Sequence, residues 1–471
     1  MKKQMISTRD KEAKQFSYTD VLLAGLAPDG GLYVPEEYPQ VSKDELESLK
    51  GKPYTEIAFA IKKKLVGGAI EDDELHAMIS RAYSPEKFVG AEDGNVVPLQ
   101  KVADNFYTEN LSLGPTAAFK DMALQQLAQE MSYELKKRGE ELTILGATSG
   151  DTGSSAEAAF KGVENVKVFI LSPEEGMSDF QKAQMGNLTG GNIFNVSVRG
   201  RFDDCQDMVK LLKSEEEFSK LGAINSINWG RISSQVPYYF AGYLQAVSEM
   251  GEPVDFVVPT GNFGNVLSGY IAKQMGLPVR RLIVATNEND VLDKLFKTGV
   301  YELTPAQITS SPSMDISKAS NYERLVFDLF EHDAEKTAKY MQEFAQNKRV
   351  DLADYGVSVE RLAELGFLSA KSTHKDRIET IKRVYEETGF IIDPHTADAV
   401  SVGFKLRDEG VPTIAMMTAL PVKFEHTIKE ALGFVPERPP RFADLENYPK
   451  GAFKVIDNKP EQLREYIRRN V

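Results

Sequence analysis

Two apolar, strand-like runs of this chain each end in a glycine-rich loop, and each loop opens onto a helix-like stretch. Glu141–Ala147 (ELTILGA) leads into Thr148-Ser-Gly-Asp-Thr-Gly153, and Val254–Val258 (VDFVV) leads into Pro259-Thr-Gly-Asn-Phe-Gly-Asn265. A helix-like segment from Ser154 to Lys161 follows the first loop, and one starting near Val266 follows the second. Further buried-strand patterns stand at Val166–Leu171, Asn192–Val198, Arg281–Ala285 and Thr413–Met417, with stretches long enough for helical crossovers between them. Parallel strands joined by such crossovers restrict the chain to an α/β architecture of one hand. Loops at the carboxyl ends of these strands are where ligands bind.

The chain divides into three zones on this reading. Residues 1–96 form an N-terminal segment of helix-like stretches, with Gly25–Val34 reading as a Pro/Gly loop. Residues 97–205 carry the first alternation of strands and helices. Residues 206–471 form a larger domain with a polar, helix-rich stretch at 304–376 that reads as an insertion. A length of 471 residues agrees with more than one core. There is no internal repeat and no low-complexity tract.

Charge and cysteine usage exclude several classes. The net charge is −14 and the pI about 5.1, which opposes a nucleic-acid partner. No apolar run reaches membrane-spanning length, and the start Met1-Lys-Lys-Gln-Met-Ile lacks the apolar core of a signal peptide, so a cytoplasmic protein is expected. One cysteine, Cys205, permits no internal disulfide and no multi-cysteine zinc site, and the five histidines lack metal-ligand spacing. A small anionic substrate remains compatible with the acidic balance, because a site is able to be locally positive.

The run Ser112-Leu-Gly-Pro-Thr-Ala-Ala-Phe-Lys120-Asp121 places a lysine after small and apolar residues at the start of a helix-like segment. Desolvation there disfavours the ammonium and frees the amine, the requirement for a Schiff-base lysine. The bland alternative is a solvated Lys120–Asp121 pair on a helix surface. In the second loop, Gly261 and Gly264 let the backbone approach an anion, with helix N-terminal amides aimed at it; the alternative is a plain strand-to-helix turn. In the first loop Ser149, Thr152 and the glycine amides are donors for a carboxylate or phosphate, while Asp151 reads equally as a helix N-cap. A reactive lysine beside a phosphate cradle is what pyridoxal phosphate needs.

These residues carry a resemblance. The lysine run, Ala147-Thr-Ser-Gly-Asp-Thr-Gly153 and Pro259–Asn265 are similar to the lysine motif, substrate loop and cofactor-phosphate loop of the threonine synthase family. Ser7-Thr-Arg, Ala27–Pro35, Phe202–Gln206, Ile227–Ile232, Ser313–Ile316, Ser320–Arg324 and Asp393–Ala397 extend the likeness in order over almost the whole chain, and the added segments point to the longer microbial and fungal form. The resemblance implies a tryptophan-synthase-β (type II) fold: two open, mainly parallel twisted sheets flanked by helices, with an N-terminal segment and a helical insertion. It also implies a pyridoxal-5′-phosphate enzyme, monomer or homodimer, that turns O-phospho-L-homoserine and water into L-threonine and phosphate.

Roles follow from the resemblance residue by residue. Lys120 is the Schiff-base lysine and proton shuttle; Gly261, Asn262, Phe263, Gly264 and Asn265 hold the cofactor phosphate; Thr418 meets the pyridine nitrogen. Asp151 stands near the 3′-oxygen, where an acid is expected to share a proton with the phenolic oxygen. Substrate binding falls to Thr116, Ser149, Gly150, Thr152, Asn228, Arg231 and Lys423, with Arg231 the natural bidentate fork and a structural ion pair its alternative. Trp229 and Cys205 read as core, and His395 as a packed or capping histidine. Leu420 stands where the family often has histidine, which puts only a histidine role there in doubt. The other outcomes are a phospho-lyase relative releasing 2-oxobutyrate, ammonia and phosphate, a non-catalytic cofactor- or phosphate-binding relative, and a serine or threonine dehydratase.

Overall fold

A computed structural model describes residues 4–148, 150–175, 177–218, 221–222 and 225–471. Its strands, in chain order, are β1 (Met5–Ser7), β2 (Tyr33–Pro35), β3 (Leu99–Ala103), β4 (Phe106–Asn110), β5 (Leu142–Ala147), β6 (Val166–Pro173) and β7 (Ile193–Arg199). They continue with β8 (Val254–Pro259), β9 (Val279–Thr286), β10 (Val300–Glu302), β11 (Arg349–Asp351), β12 (Phe367–Lys371), β13 (Thr413–Met417) and β14 (Phe453–Asp457). The larger sheet runs β12-β9-β8-β13-β4-β3, parallel except for the β3–β4 hairpin; the smaller runs β14-β7-β6-β5 and is wholly parallel. Two antiparallel ribbons, β1–β2 and β10–β11, lie outside both. The α/β expectation of two mainly parallel sheets flanked by helices holds.

Burial explains the order. Every residue of β8 and β13 is buried, which is why both read as continuous apolar runs in the middle of a parallel sheet. The edge strands β3, β12 and β14 are half-exposed and carry lysines, so they lack that pattern. The expected loop at Gly25–Val34 ends in β2, whose three buried residues pair with β1. The expected insertion at 304–376 also needs correcting: its last part is β12, the edge of the larger sheet beside β9. Sheet membership crosses the expected division at 205/206, since β3 and β4 pair into the larger sheet and β14 closes the smaller.

Five helices bring residues to the site: Lys120–Arg138, Asp151–Phe160, Trp229–Ala246, Gly264–Gln274 and Pro394–Leu406. Trp229–Ala246 is buried on almost all sides, packed against helices Tyr54–Val66, Lys120–Arg138 and Gly264–Gln274. Trp229 and Cys205 are fully buried, as their core reading requires.

Candidate active site

The lysine loop is sewn to the end of β13. Phe119 N donates to Thr418 O (2.8 Å), Leu420 N donates to Ala117 O (3.1 Å), and Ala118 forms an antiparallel bridge with Ala419. Ala117 sits at φ +56°, a left-handed conformation costly for a residue with a Cβ, immediately before the helix that Lys120 opens. Such strain persists only where the surroundings hold it. Asp121 is not a solvated partner of Lys120. It is fully buried and accepts from Thr116 N (2.8 Å) and Thr116 Oγ1 (2.8 Å), and burial pushes its carboxyl up to about 6. Lys120 keeps 14% of its side chain exposed. Burial lowers its pKa, Asp151 opposes that, and Lys423 and Arg231 lower it further, so the free amine is favoured relative to an ordinary lysine.

Asp151 is the first residue of its helix, and Gly150 occupies the N-cap position, so the N-cap reading fails. Its carboxylate faces inward instead: Oδ1 lies 2.7 Å from Lys423 Nζ and accepts from Gln181 Nε2 (2.9 Å), and Oδ2 lies 3.7 Å from Lys120 Nζ and 3.4 Å from Ser313 Oγ. Burial pushes this carboxyl up, but Lys423 and Lys120 together hold it well below the usual range. A fully buried lysine, Lys423, thus lies against its negative charge. Lys423 also donates to Thr116 O (2.9 Å), which ties it into this framework. Gly150 is glycine of necessity, at φ +148° with Gln181 only 2.4 Å from where a Cβ would sit.

The second glycine loop follows β8 and opens helix Gly264–Gln274. Phe263 occupies the left-handed region at φ +65°, which turns the chain so that the first amides of the helix face out of its N-terminus without intrahelical partners. Asn262 is fixed from behind: its carbonyl accepts from Asn321 N and Nδ2 (3.2 Å each), and its Oδ1 from Ser320 Oγ (3.1 Å). Asn265 Oδ1 meets Tyr238 OH (2.6 Å) and Tyr239 OH (2.8 Å), while its buried Nδ2 has no hydrogen-bond partner among the described residues. A Cβ on Gly261 would lie 3.3 Å from Met314 Cα, so the loop is closely roofed by the segment around Ser313. Free helix amides, an orphaned amide donor and a depressed lysine fit the phosphate and aldehyde of pyridoxal phosphate.

Arg231 is 5% exposed and makes no ion pair among the described residues; its Nε and Nη1 are buried without a partner. The structural ion pair is thus absent. Burial lowers this guanidinium to about 10, which still leaves it charged at neutral pH. Asn228 is otherwise engaged: Oδ1 caps its helix through Gly230 N (2.8 Å) and Nδ2 donates to Leu22 O (2.9 Å). Thr116 is tied to Asp121 and Ser155. Thr152 is half-buried at the helix start, and Ser149 lies outside the described residues. Thr418 is 7% exposed at the end of β13, its amide donating to Thr396 Oγ1. Gln181 and Ser313 escaped the sequence reading as neighbours of Asp151. Ser313 stood in a family-like run, but nothing in that run tells which loop folds over the site. A cleft of about 750 Å3 opens beside Lys423, between Ser310, Pro312 and Phe180.

Family models match residues 4–83 (Threonine synthase N terminus), 95–360 (Pyridoxal-phosphate dependent enzyme) and 396–467 (Threonine synthase, C-terminal). The chain is 47% identical to a threonine synthase from Methylobacillus glycogenes over 98% of both chains. It superposes on pyridoxal-phosphate-bound threonine synthase from Brucella melitensis with TM-score 0.94 and 39% identity, covering 99% of each chain. Threonine synthase from yeast matches with TM-score 0.92 and 34% identity, covering 99% of this chain and 98% of that one.

Proposed function

The chain belongs to the threonine synthase family and takes pyridoxal 5′-phosphate as its cofactor, and we propose that its site converts O-phospho-L-homoserine and water into L-threonine and phosphate. One observation carries the choice of a phosphorylated substrate: Arg231 is a buried guanidinium with no acidic partner among the described residues. A buried unpaired cation is strongly disfavoured until an anion meets it. The cofactor phosphate is assigned to the neutral amides of Gly261–Asn265, so Arg231 answers to a second anion, and its planar fork suits a phosphate.

Bound pyridoxal phosphate supplies an electron sink for negative charge developing on the substrate carbons. The chain's residues do the rest. Lys120 would hold the cofactor and, when free of it, would move protons at substrate Cα and Cβ; burial lowers its amine, so the proton-accepting form is more available than in an ordinary lysine. Asp151 stays ionised beside Lys120, and Lys423 offsets its charge. Thr418 offers the pyridine nitrogen a neutral hydroxyl, which leaves that ring less electron-withdrawing than a carboxylate partner would. Arg231, with Thr152 and Ser149, orients the leaving phosphate. Asn228 and Thr116, engaged in the framework, position the loops that do so. The lone buried Cys205 and the acidic balance suit a reducing cytoplasm.

The test is product analysis of the holoprotein with O-phospho-L-homoserine. The expected result is equimolar phosphate and L-threonine. Release of 2-oxobutyrate and ammonia with phosphate would instead place the chain with the phospho-lyase relatives, and binding without turnover would remove catalysis from the reading.

A further inference from the structure

A histidine outside the residues assigned so far holds the roof of the site. His395 is 3% exposed near the start of helix Pro394–Leu406, its ring edge-on to Phe424. Its Nδ1 lies 2.8 Å from Asp393 Oδ1, a fully buried carboxylate that also caps the helix through His395 N. Its Nε2 accepts from the backbone N–H of Ser313 (3.0 Å). A carboxylate on one nitrogen and an amide donor on the other fix one state of the ring: Nδ1 carries the proton and Nε2 is bare.

The segment gripped by Nε2 touches both halves of the site. Ser313 Oγ reaches Asp151 Oδ2 (3.4 Å), while Ser313 O, Met314 Cα and Ile316 Cδ1 crowd Gly261 in the phosphate loop. Asp393 further holds Thr396, whose Oγ1 accepts from Thr418 N. One imidazole therefore ties the roof over Asp151 and Gly261 to the same helix start that braces Thr418.

We propose that His395 is a positioning residue: its bare Nε2 pins Ser313, and through Ser313–Ile316 it sets the distance of the roof from Asp151 and from the phosphate loop. This rests on the reading of Gly261–Asn265 as the cofactor cradle and of O-phospho-L-homoserine as the substrate. The role belongs to the acceptor, not to the aromatic ring, and two variants separate them. His395→Phe keeps the ring and its contact with Phe424 but has no acceptor. His395→Gln loses the ring but carries a carbonyl oxygen at the reach of Nε2.

The experiment pairs titration of cofactor-free protein with pyridoxal phosphate, followed by fluorescence, with the KM for O-phospho-L-homoserine and thermal unfolding of each variant. Wild-type turnover on that substrate tests the functional reading separately, so its failure is distinguishable from failure of the variants. In His395→Phe, cofactor affinity is expected to fall and KM to rise, each about three- to tenfold, the scale of one lost hydrogen bond; kcat should change less. His395→Gln should return both within about twofold of wild type. Ser313→Ala, which keeps the amide and loses only the hydroxyl, is expected to raise KM while leaving cofactor affinity near wild type. Wild-type affinity and KM in His395→Phe overturn the proposal. So does a glutamine variant as impaired as the phenylalanine one. If His395→Phe does not fold, a glutamine variant with wild-type affinity and KM supports the acceptor role, and an impaired one overturns it.

Discussion

At the residue scale, the proposed chemistry rests on two side chains. Among the described residues, Lys120 is the one amine that combines a desolvated head, the start of a helix and a nearby carboxylate. Lys120→Ala is expected to abolish threonine formation while the variant still takes up pyridoxal phosphate non-covalently through Gly261–Asn265. Near-wild-type turnover of purified variant would contradict the assignment. In the wild type, borohydride treatment with cofactor should add mass at Lys120. Because the neutral amine reacts and its pKa is lowered, labelling of this residue should reach half-maximum at a lower pH than labelling of an ordinary lysine. Arg231 offers the companion test. Arg231→Lys keeps the charge and loses the fork, so the KM for the phosphorylated substrate and the inhibition constant for inorganic phosphate should both rise about tenfold, with cofactor affinity spared. A packing role would instead lower thermal stability and leave both constants unchanged. Lys120 was legible in the sequence as a candidate because the small and apolar residues before it stand in one short run, whereas Arg231 was singled out only through the family resemblance. Lys423 and Asp151 were legible as residues but not as a pair: they stand 272 positions apart in the chain, and only the fold brings them to 2.7 Å.

At the element scale, the proposed phosphate loop is a strand end, a left-handed phenylalanine and a helix start, which together make the amides converge. Gly264→Val should lower affinity for pyridoxal phosphate more than it lowers the unfolding temperature of the cofactor-free protein. Its Cβ would meet only side-chain atoms of Asn321 (3.3 Å) and Ile232 (3.5 Å), which are able to shift, whereas the backbone's approach to a phosphate is lost. Unchanged affinity would reduce the loop to a turn. The central strands announce themselves for the same reason they matter: β8 and β13 are buried on both faces, so their apolar runs are unbroken. The edges do not. β12 alternates buried and half-exposed positions within five residues, and β14 exposes lysine and valine in succession, so neither differs from surface sequence. β4 is hidden by its own chemistry, since Phe-Tyr-Thr-Glu-Asn contains a fully buried Glu109 whose carboxyl burial pushes well above the usual range. A buried acid reads in sequence as a surface charge.

At the scale of the whole molecule, the N-terminal segment is wired into the site rather than laid against it. Lys62, on helix Tyr54–Val66, is 1% exposed and lies 3.1 Å from Glu130 Oε1, on the helix that Lys120 opens. The same ammonium donates to Ser233 and Ser234 Oγ (2.7 Å each), on the helix that carries Arg231. Tyr18 OH and Gln126 Nε2 complete the shell around Glu130. One buried cation thus fixes how the lysine helix and the arginine helix sit against each other. Removing a single partner of a buried pair leaves a charge without compensation, so Lys62→Met should cost about 3–5 kcal/mol of stability. The double variant Lys62→Met/Glu130→Leu replaces the pair with apolar volume and should regain a large part of that loss, short of wild type because Tyr18 OH then keeps only its long contact with Ser233 Oγ (3.5 Å). Denaturant unfolding of the cofactor-free proteins measures the cycle. Steady-state kinetics of the double variant then separate two roles of the segment. If it is only a scaffold, KM returns with stability. If the polar network sets helix register, stability recovers while KM for the phosphorylated substrate stays raised, because Arg231 and Lys120 are no longer held at a fixed spacing. The network's direct reach to Ser233 and Ser234, one turn from Arg231, favours the second outcome.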